Sequence, residues 1–518
     1  MKSKVLQMQE HYHDGYFLVG PYFPDKVVGE LQEKAAPDWL KKVFETLKKE
    51  GIVCHFGHWL VQGNPSTILI DFSGYSQNKN NIKSRLWDEY KIDSLGTEWF
   101  DYDQPVVWAT AAGRLIELAG KGAKKCVAHF HEWLSGAGLL YLNSKKSGVA
   151  TVFTTHATML GRTLASSNVN LYNELETIEA DKAAYTHKVA AKHFTEKACA
   201  NTANVFTTVS EITGMEAEHF FKRKPDVLTL NGLDMSKFPT FEETTIKHRL
   251  YKNRLREFLM YYFFPHYTFD LDKTVFYFIV GRYEYRDKGI DVLIKSLGKL
   301  NERLKQERSQ RTVACFFWIP AGIRGTRPEL VENKTFFNDI RDSVEDSHDD
   351  IKNRLIYGLV SQHKITEKTL LDPEVLDDIQ RKVLKLKKQG LPHLATHDLQ
   401  DEANDPIVNG FKESNLLNKK EDRVKVIMYP IYLTGADGLL DISYYESMQA
   451  CHLGIFPSYY EPWGYTPLES AALGVPAVTT DLAGFGRFIS QEIKPMQPGI
   501  FLLHRFNKTD REVVSELT

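Results

Sequence analysis

The chain has 518 residues, 42% of them hydrophobic and 25% charged, which is enough to build more than one domain core. Lys and Arg nearly balance Asp and Glu for a formal net charge of −2, which excludes the basic face that nucleic-acid binding demands. No apolar run reaches the ~20 residues of a spanning helix, no apolar signal core opens the chain, and Cys54, Cys126, Cys199, Cys315 and Cys451 lie far apart without paired spacing. The expectation is a reduced cytoplasmic protein without membrane partner, disulfide frame or zinc site.

In chain order, residues 16–20 predict a short strand, and residues 38–48 repeat apolar side chains at helical spacing up to the stop at Gly51. Residues 52–57 and 66–72 read as strands, 106–118 as a helix, 125–130 as a strand and 139–142 as a helix. Strands over 149–155, 205–209 and 226–230 complete this half, the last ending in a turn at Asn231-Gly232. Such alternation predicts parallel sheets covered on both faces. Residues 241–264 predict a helical connector, and a second alternating series follows at 274–281, 313–319, 424–428, 451–457 and 475–480. The expected fold is α/β: two doubly wound domains, 1–240 and 241–518, facing across a cleft. Residues 331–390 interrupt the second series with two apolar stripes at helical spacing, Phe336, Phe337, Ile340 and Val344, then Val375, Leu376, Ile379, Val383 and Leu386. That insertion reads equally as a surface hairpin on its own domain and as an oligomerisation element.

The candidate chemistry sits at the carboxyl ends of strands, where open α/β sheets bind ligands. In Ser458-Tyr459-Tyr460-Glu461-Pro462-Trp463-Gly464-Tyr465-Thr466-Pro467-Leu468-Glu469, Thr466 fits a helix N-cap, Pro467 the first helical position and Glu469 the third, a capping box. The unpaired N–H groups of such a helix start suit a phosphate. Capping explains Glu469 but not Glu461. Arg282 follows a strand and Lys288-Gly289 opens a helix, a fork of donors and a mobile charge suited to a diphosphate. His129-Phe130-His131-Glu132-Trp133 reads as a structural histidine pair rather than a metal site, because no third ligand accompanies it. Thr155-His156-Ala157-Thr158-Met159-Leu160-Gly161-Arg162 turns from strand into helix, with His156 and Arg162 able to face a ligand.

Together Tyr459 to Pro467, Thr154 to Arg162 and His131-Glu132-Trp133 resemble the eukaryotic-type glycogen synthases, retaining glycosyltransferases of GT-B fold that use UDP-glucose. The likeness runs over nearly the whole chain, including Thr396-His397-Asp398 and Asp405-Pro406-Ile407. It implies Arg282 and Lys288 on the UDP pyrophosphate and Glu469 on the ribose, with Thr466, Tyr465, Gly464 and Asn231 completing the donor site. It further implies Glu461 facing the sugar near the reacting carbon, and His156 and Arg162 on the glucose and phosphate from the other domain. No cofactor or metal is implied. The partners are UDP-glucose, a glycogen or α-1,4-glucan primer, a glycogenin-like priming protein and further copies of the chain. The alternatives are an ADP-glucose or sucrose-type transferase, and a non-catalytic glucan- or partner-binding relative.

The family opens with a strand and a Gly-Gly turn and carries C-terminal helices, one arginine-rich and sensing glucose 6-phosphate. Neither is seen between Met1 and Thr518. By that likeness the chain is expected to bind UDP but to transfer glucose slowly, without glucose 6-phosphate activation.

Overall fold

The computed structural model describes residues 4–167, 169–492 and 499–518. The chain forms two units: unit 1 is Met1–Lys237 with Tyr460–Gly464 and Asp481–Lys494, and unit 2 is Phe238–Tyr459 with Tyr465–Thr480 and Pro495–Thr518. The first boundary lies close to the expected 240/241. Two short segments from the second half nevertheless pack with the first, and one of them contains Glu461.

Unit 1 holds β1 (Phe17–Pro21), β2 (Leu31–Glu33), β3 (Val53–Trp59) and β4 (Ser66–Asp71) in a sheet of order β1-β4-β3-β2. Only β1 and β4 run parallel there; β3 pairs antiparallel with both β4 and β2. The expected all-parallel arrangement fails here for a simple reason. The link from Trp59 to Ser66 is too short for a crossover and can only return as a hairpin. The unit's other sheet is parallel throughout: β5 (Val127–His131), β6 (Ala150–Thr155), β7 (Val205–Thr208) and β8 (Val227–Leu228) in chain order. Helix Glu132–Ser144 covers β5 and β6, helices Ala190–Thr202 and Gln104–Gly120 pack on it, and Glu211–Phe221 lies against β7. Phe153, Phe206, Phe220, Phe221 and Leu139 are fully buried between them.

Unit 2 adds β9 (Thr274–Val280), β10 (Thr312–Trp318), β11 (Ile323–Thr326), β12 (His397–Leu399), β13 (Val424–Met428), β14 (Leu453–Ile455), β15 (Ala477–Thr480) and β16 (Ile500–Leu503). Its main sheet is parallel, in the order β13-β10-β9-β14-β15-β16. Counted within the sheet this is 3-2-1-4-5-6, the doubly wound dinucleotide-binding order, so the winding reverses between β9 and β14. The central strands β9 and β10 are near-continuous apolar runs because both faces are covered; every residue of β10 is buried. The connector is one helix, Phe241–Phe263, opened by a Thr240/Glu243 capping box, and its Leu255, Phe258, Leu259 and Tyr262 enter the core.

The insertion is more than a hairpin. Helices Pro328–Asp346, His348–Val360, Glu367–Leu370 and Pro373–Leu386 follow one another, and Pro328–Asp346 packs on both Phe241–Phe263 and Pro373–Leu386. Asp372, just before the last helix, pairs with Arg354, and that helix ends at Leu386. No described helix is long and apolar enough to cross a membrane.

Candidate functional site

In unit 2 the reversal point places the ends of β9 and β14 side by side. β14 runs out into Phe456-Pro457-Ser458-Tyr459, all buried, and β9 into Gly281 and Arg282. The join depends on Gly289. It has φ +67° and caps helix Ile290–Gln306, and an added Cβ would overlap the Pro457 carbonyl. Glycine alone meets both demands. Arg505 is buried and donates to the Pro457 carbonyl at 2.5 Å. Its guanidinium lies 5.3 Å from the Tyr459 ring centre and that of Arg286 4.8 Å, so cations flank this tyrosine.

Arg282 is exposed and pairs with Glu284 at 3.1 Å. The Lys288 stem runs alongside Gly281, which holds its ammonium near the end of β9. The loop between them is pinned by Tyr283, whose hydroxyl donates to Asp405 at 2.7 Å. Asp405 also caps helix Pro406–Glu413 through the N–H groups of Ile407 and Val408. Two cations are thus presented on a fixed loop at the switch point, an arrangement suited to a diphosphate.

Helix Tyr465–Ala472 begins two residues before Pro467, and the expected capping box is not formed. Glu469 accepts instead from the hydroxyls of Tyr444, at 2.8 Å, and Tyr445, at 3.0 Å. These phenols, on helix Tyr444–Gln449, occupy both carboxylate oxygens. Burial raises the Glu469 pKa, and the two phenolic bonds act against that rise. Glu469 is therefore an oriented, half-buried acceptor, while Tyr465 is exposed and Thr466 half-buried.

His156, Arg162, Asn231, Glu461 and Gly464 belong to unit 1. Asn231 is half-buried in the irregular segment after β8, where no turn forms. β5 and β6 end together, and three histidines line up there. His129 bonds Thr154 at 2.7 Å, its ring centre lies 4.1 Å from that of His131 at a 30° tilt, and His131 Nδ1 lies 3.0 Å from His156 Nε2. Burial, with Lys4 and the neighbouring rings adding to it, holds His129 down to about 4 and His131 to about 2; burial and nearby positive charge, Lys4 included, lower His156. All are neutral imidazoles near pH 7. Among the described residues no cluster of His, Cys, Asp and Glu has the geometry to hold a metal ion.

The turn that carries His156 is gripped by buried carboxylates. Glu132 accepts the N–H groups of His156 at 2.8 Å and Ala157 at 3.2 Å, Glu196 accepts that of Met159 at 3.0 Å, and Glu216 accepts the Thr158 hydroxyl at 2.5 Å. Thr158 in turn caps helix Met159–Ser166, which carries Arg162. Burial raises the pKa of all three carboxylates, Glu216 to about 7, and the Arg162 guanidinium counters the rise in each. Glu132 itself has φ 63°, a strain that costs about 1–3 kcal/mol and persists where the surroundings over-determine it.

Glu461 stands where residues 460–464 pass against the 481–492 segment. It bridges to Ala483, its carbonyl accepts from Gly484 at 3.0 Å, and that of Trp463 accepts from Phe485 at 2.7 Å. Arg487 and Gln491 of that segment bind Glu211 at the start of helix Glu211–Phe221. The contacts therefore place Glu461 in the unit of His156, not in that of Arg282. Glu196 and Glu216 were not singled out from sequence. The signal for Glu216 was present: it sits on an apolar stripe with Ile212 and Phe220, four residues from each.

The family described as Glycogen synthase matches residues 1–518. The chain is 36% identical over 521 residues to the liver glycogen (starch) synthase of Mus musculus, covering 100% of this chain and 74% of that protein. It is 35% identical over 528 residues to the glycogen (starch) synthase of Caenorhabditis elegans, covering 100% and 78%. Among solved structures it is similar to the catalytic domain of a starch synthase IV from Arabidopsis thaliana bound to ADP and acarbose. That likeness is at 12% identity over 97% of this chain and 94% of that one, with a TM-score of 0.42.

Proposed function

Because this chain belongs to the glycogen synthase family, we propose that it transfers glucose from UDP-glucose to the non-reducing end of an α-1,4-glucan, with retention. The observation that carries this reading is the 3-2-1-4-5-6 sheet of unit 2, which sets Arg282 and Lys288 at the reversal point beside the end of β14. There the two cations take the diphosphate. They stabilise the charge that develops as it leaves, which is the moment at which fixed donors contribute most. Glu469, oriented by its two tyrosines, accepts from the ribose, and Tyr465, Thr466, Gly464 and Asn231 complete the donor set. In unit 1, His156 and Arg162 serve the sugar and its phosphate, and Glu461 faces the reacting carbon.

Retaining glycosidases form a covalent intermediate between carboxyl groups about 5–5.5 Å apart. Glu469 is given to the ribose in this reading, and the phenol hydrogen bond on each of its oxygens makes it a poorer nucleophile. Departure of the diphosphate and arrival of the acceptor on the same face fits the residues better. The cations supply the charge balance, and the proposal includes no cofactor. The cytoplasm, a glycogenin-like primer and a homo-oligomer belong to the same proposal. The test is incorporation of radiolabelled glucose into glycogen, with ADP-glucose in parallel. Incorporation from the uridine donor alone supports the reading, incorporation from the adenosine donor alone transfers it to the ADP-glucose class, and incorporation from neither removes it.

A further inference from the structure

Glu216 is fully buried, lies on a helix that no sequence motif marks, and has no part in the chemistry described above. It nevertheless joins two pieces of chain that carry that chemistry. Besides the Thr158 hydroxyl it accepts the hydroxyls of Tyr172 at 2.9 Å and Tyr460 at 3.1 Å. Tyr460 also reaches toward the Thr158 carbonyl at 3.4 Å. Thr158 is two residues after His156, and its hydroxyl accepts from Gly161 N–H at 3.0 Å, which starts the helix of Arg162. Tyr460 immediately precedes Glu461. An added Cβ at Gly161 would overlap the Glu216 carboxylate, so the glycine beside Arg162 is the space that this carboxylate needs.

We propose that Glu216 is a positioning residue that sets the register of His156 and Arg162 against Glu461 by holding Thr158 and Tyr460 on one buried carboxylate. Burial of an acidic group is unfavourable unless its hydrogen bonds are complete, and a complete network fixes one arrangement where an apolar contact would allow sliding. Here three hydroxyls bond the carboxylate, at least one on each oxygen, and the Arg162 guanidinium supplies the nearby positive charge. Every hydroxyl in the network belongs to a turn or segment that bears a candidate site residue, except that of Tyr172. The reaction which this positioning serves is the glucosyl transfer proposed above, and the inference rests on that reading for its effect on rate.

The test uses the full chain and the variants Glu216→Gln, Tyr460→Phe, Thr158→Ser and the double variant of the first two. Tyr460→Phe keeps the buried ring and so preserves the fold. Expected are a fall in kcat of ten-fold or more for Glu216→Gln and Tyr460→Phe, KM for UDP-glucose within about three-fold, and near-normal rates for Thr158→Ser, which keeps the hydroxyl. The double variant should be no slower than Glu216→Gln alone, because Tyr460 acts through that carboxylate. Independently of activity, native-state amide exchange at His156, Ala157 and Met159 should quicken by ten-fold or more in Tyr460→Phe. If the parent chain transfers no glucose but the turn loosens as described, the reaction assignment falls and the positioning stands. Unchanged exchange in that turn, or multiplicative losses in the double variant, overturns the positioning itself.

Discussion

Replacing Arg282 by Ala separates chemistry from folding. The side chain is 61% exposed, and its ion pair with Glu284 is open to solvent on the arginine side. Exposed pairs of this kind contribute about 0–1 kcal/mol. Removing it should therefore lower the melting temperature of unit 2 by no more than about 2–4 °C, the shift that about 1 kcal/mol produces in a domain of this size. Loss of one donor aimed at a charge that develops in the transition state costs far more, about 10²–10³-fold in kcat. The expected result is a chain that melts almost normally and turns over at most a hundredth as fast. Arg282→Lys should recover only part of the rate, because an ammonium keeps the charge and loses the planar fork. Steady-state UDP release beside calorimetric melting measures both. Turnover within about three-fold of the parent would refute the assignment, and a melting loss above about 10 °C would reassign Arg282 to structure.

Gly289→Ala combines a left-handed φ with overlap on a backbone carbonyl, so it should destabilise by about 2–4 kcal/mol, and an unchanged thermal melt would contradict the account of the β9–β14 join. Removing both phenol hydroxyls, Tyr444→Phe with Tyr445→Phe, frees Glu469 to swing and should weaken UDP binding about ten-fold; equal affinity by titration calorimetry would detach Glu469 from the ribose. The insertion exposes Ile356, Tyr357, Leu359 and Val360 together on one helix, with Val360 80% exposed, so light scattering should find an oligomer at micromolar concentration and a monomer would count against the insertion as its interface.

What the sequence discloses follows from how local each signal is. β9 and β10 are legible because a strand buried on both faces is a short, nearly continuous apolar run, here rich in aromatic and β-branched residues. Arg282, Lys288 and the residue 458–469 stretch are legible because strand, turn and helix start follow one another within a dozen positions. The pairing direction of β3 is less visible, since it depends on counting loop residues rather than on strand composition. The fate of Glu469 is not local at all. Its spacing from Thr466 suits a capping box, but two phenols from a helix twenty-odd residues earlier compete for the same oxygens, and burial favours them. Glu132 was legible as part of a motif but not in its role, which is to hold backbone N–H groups of a turn on the next strand. The assignment of Glu461 to the unit of His156 comes from hydrogen bonds to Gly484 and beyond, which the order of the chain hides.

The buried groups around His156 also make a statement about pH, because they oppose one another. His129 and His131 have folded pKa values below the usual ~6.5, so the unfolded chain binds more protons, and the stability they contribute is present above pH ~6.5 and lost as pH falls toward about 4 and about 2. Glu216 is the reverse case. Its folded pKa is raised to about 7, so its contribution is present below pH ~4.3 and is lost as pH rises through about 7. Between pH ~4.5 and ~6.5 the histidines make stability climb with pH and Glu216 makes it decline. Glu216→Gln removes the declining member and leaves the histidines in place. The slope of unfolding free energy against pH should then become more positive by close to one proton, about 1.4 kcal/mol per pH unit, across that window. The variant should lose ground to the parent at pH 5 and regain it by pH 6.5, whatever its absolute stability. Denaturant unfolding at pH 5, 5.75 and 6.5, followed through the transition that includes unit 1, reads that slope. Parallel pH profiles for parent and variant would show that Glu216 is ionised throughout, and that the hydroxyls of Thr158, Tyr172 and Tyr460, with Arg162, fully offset its burial.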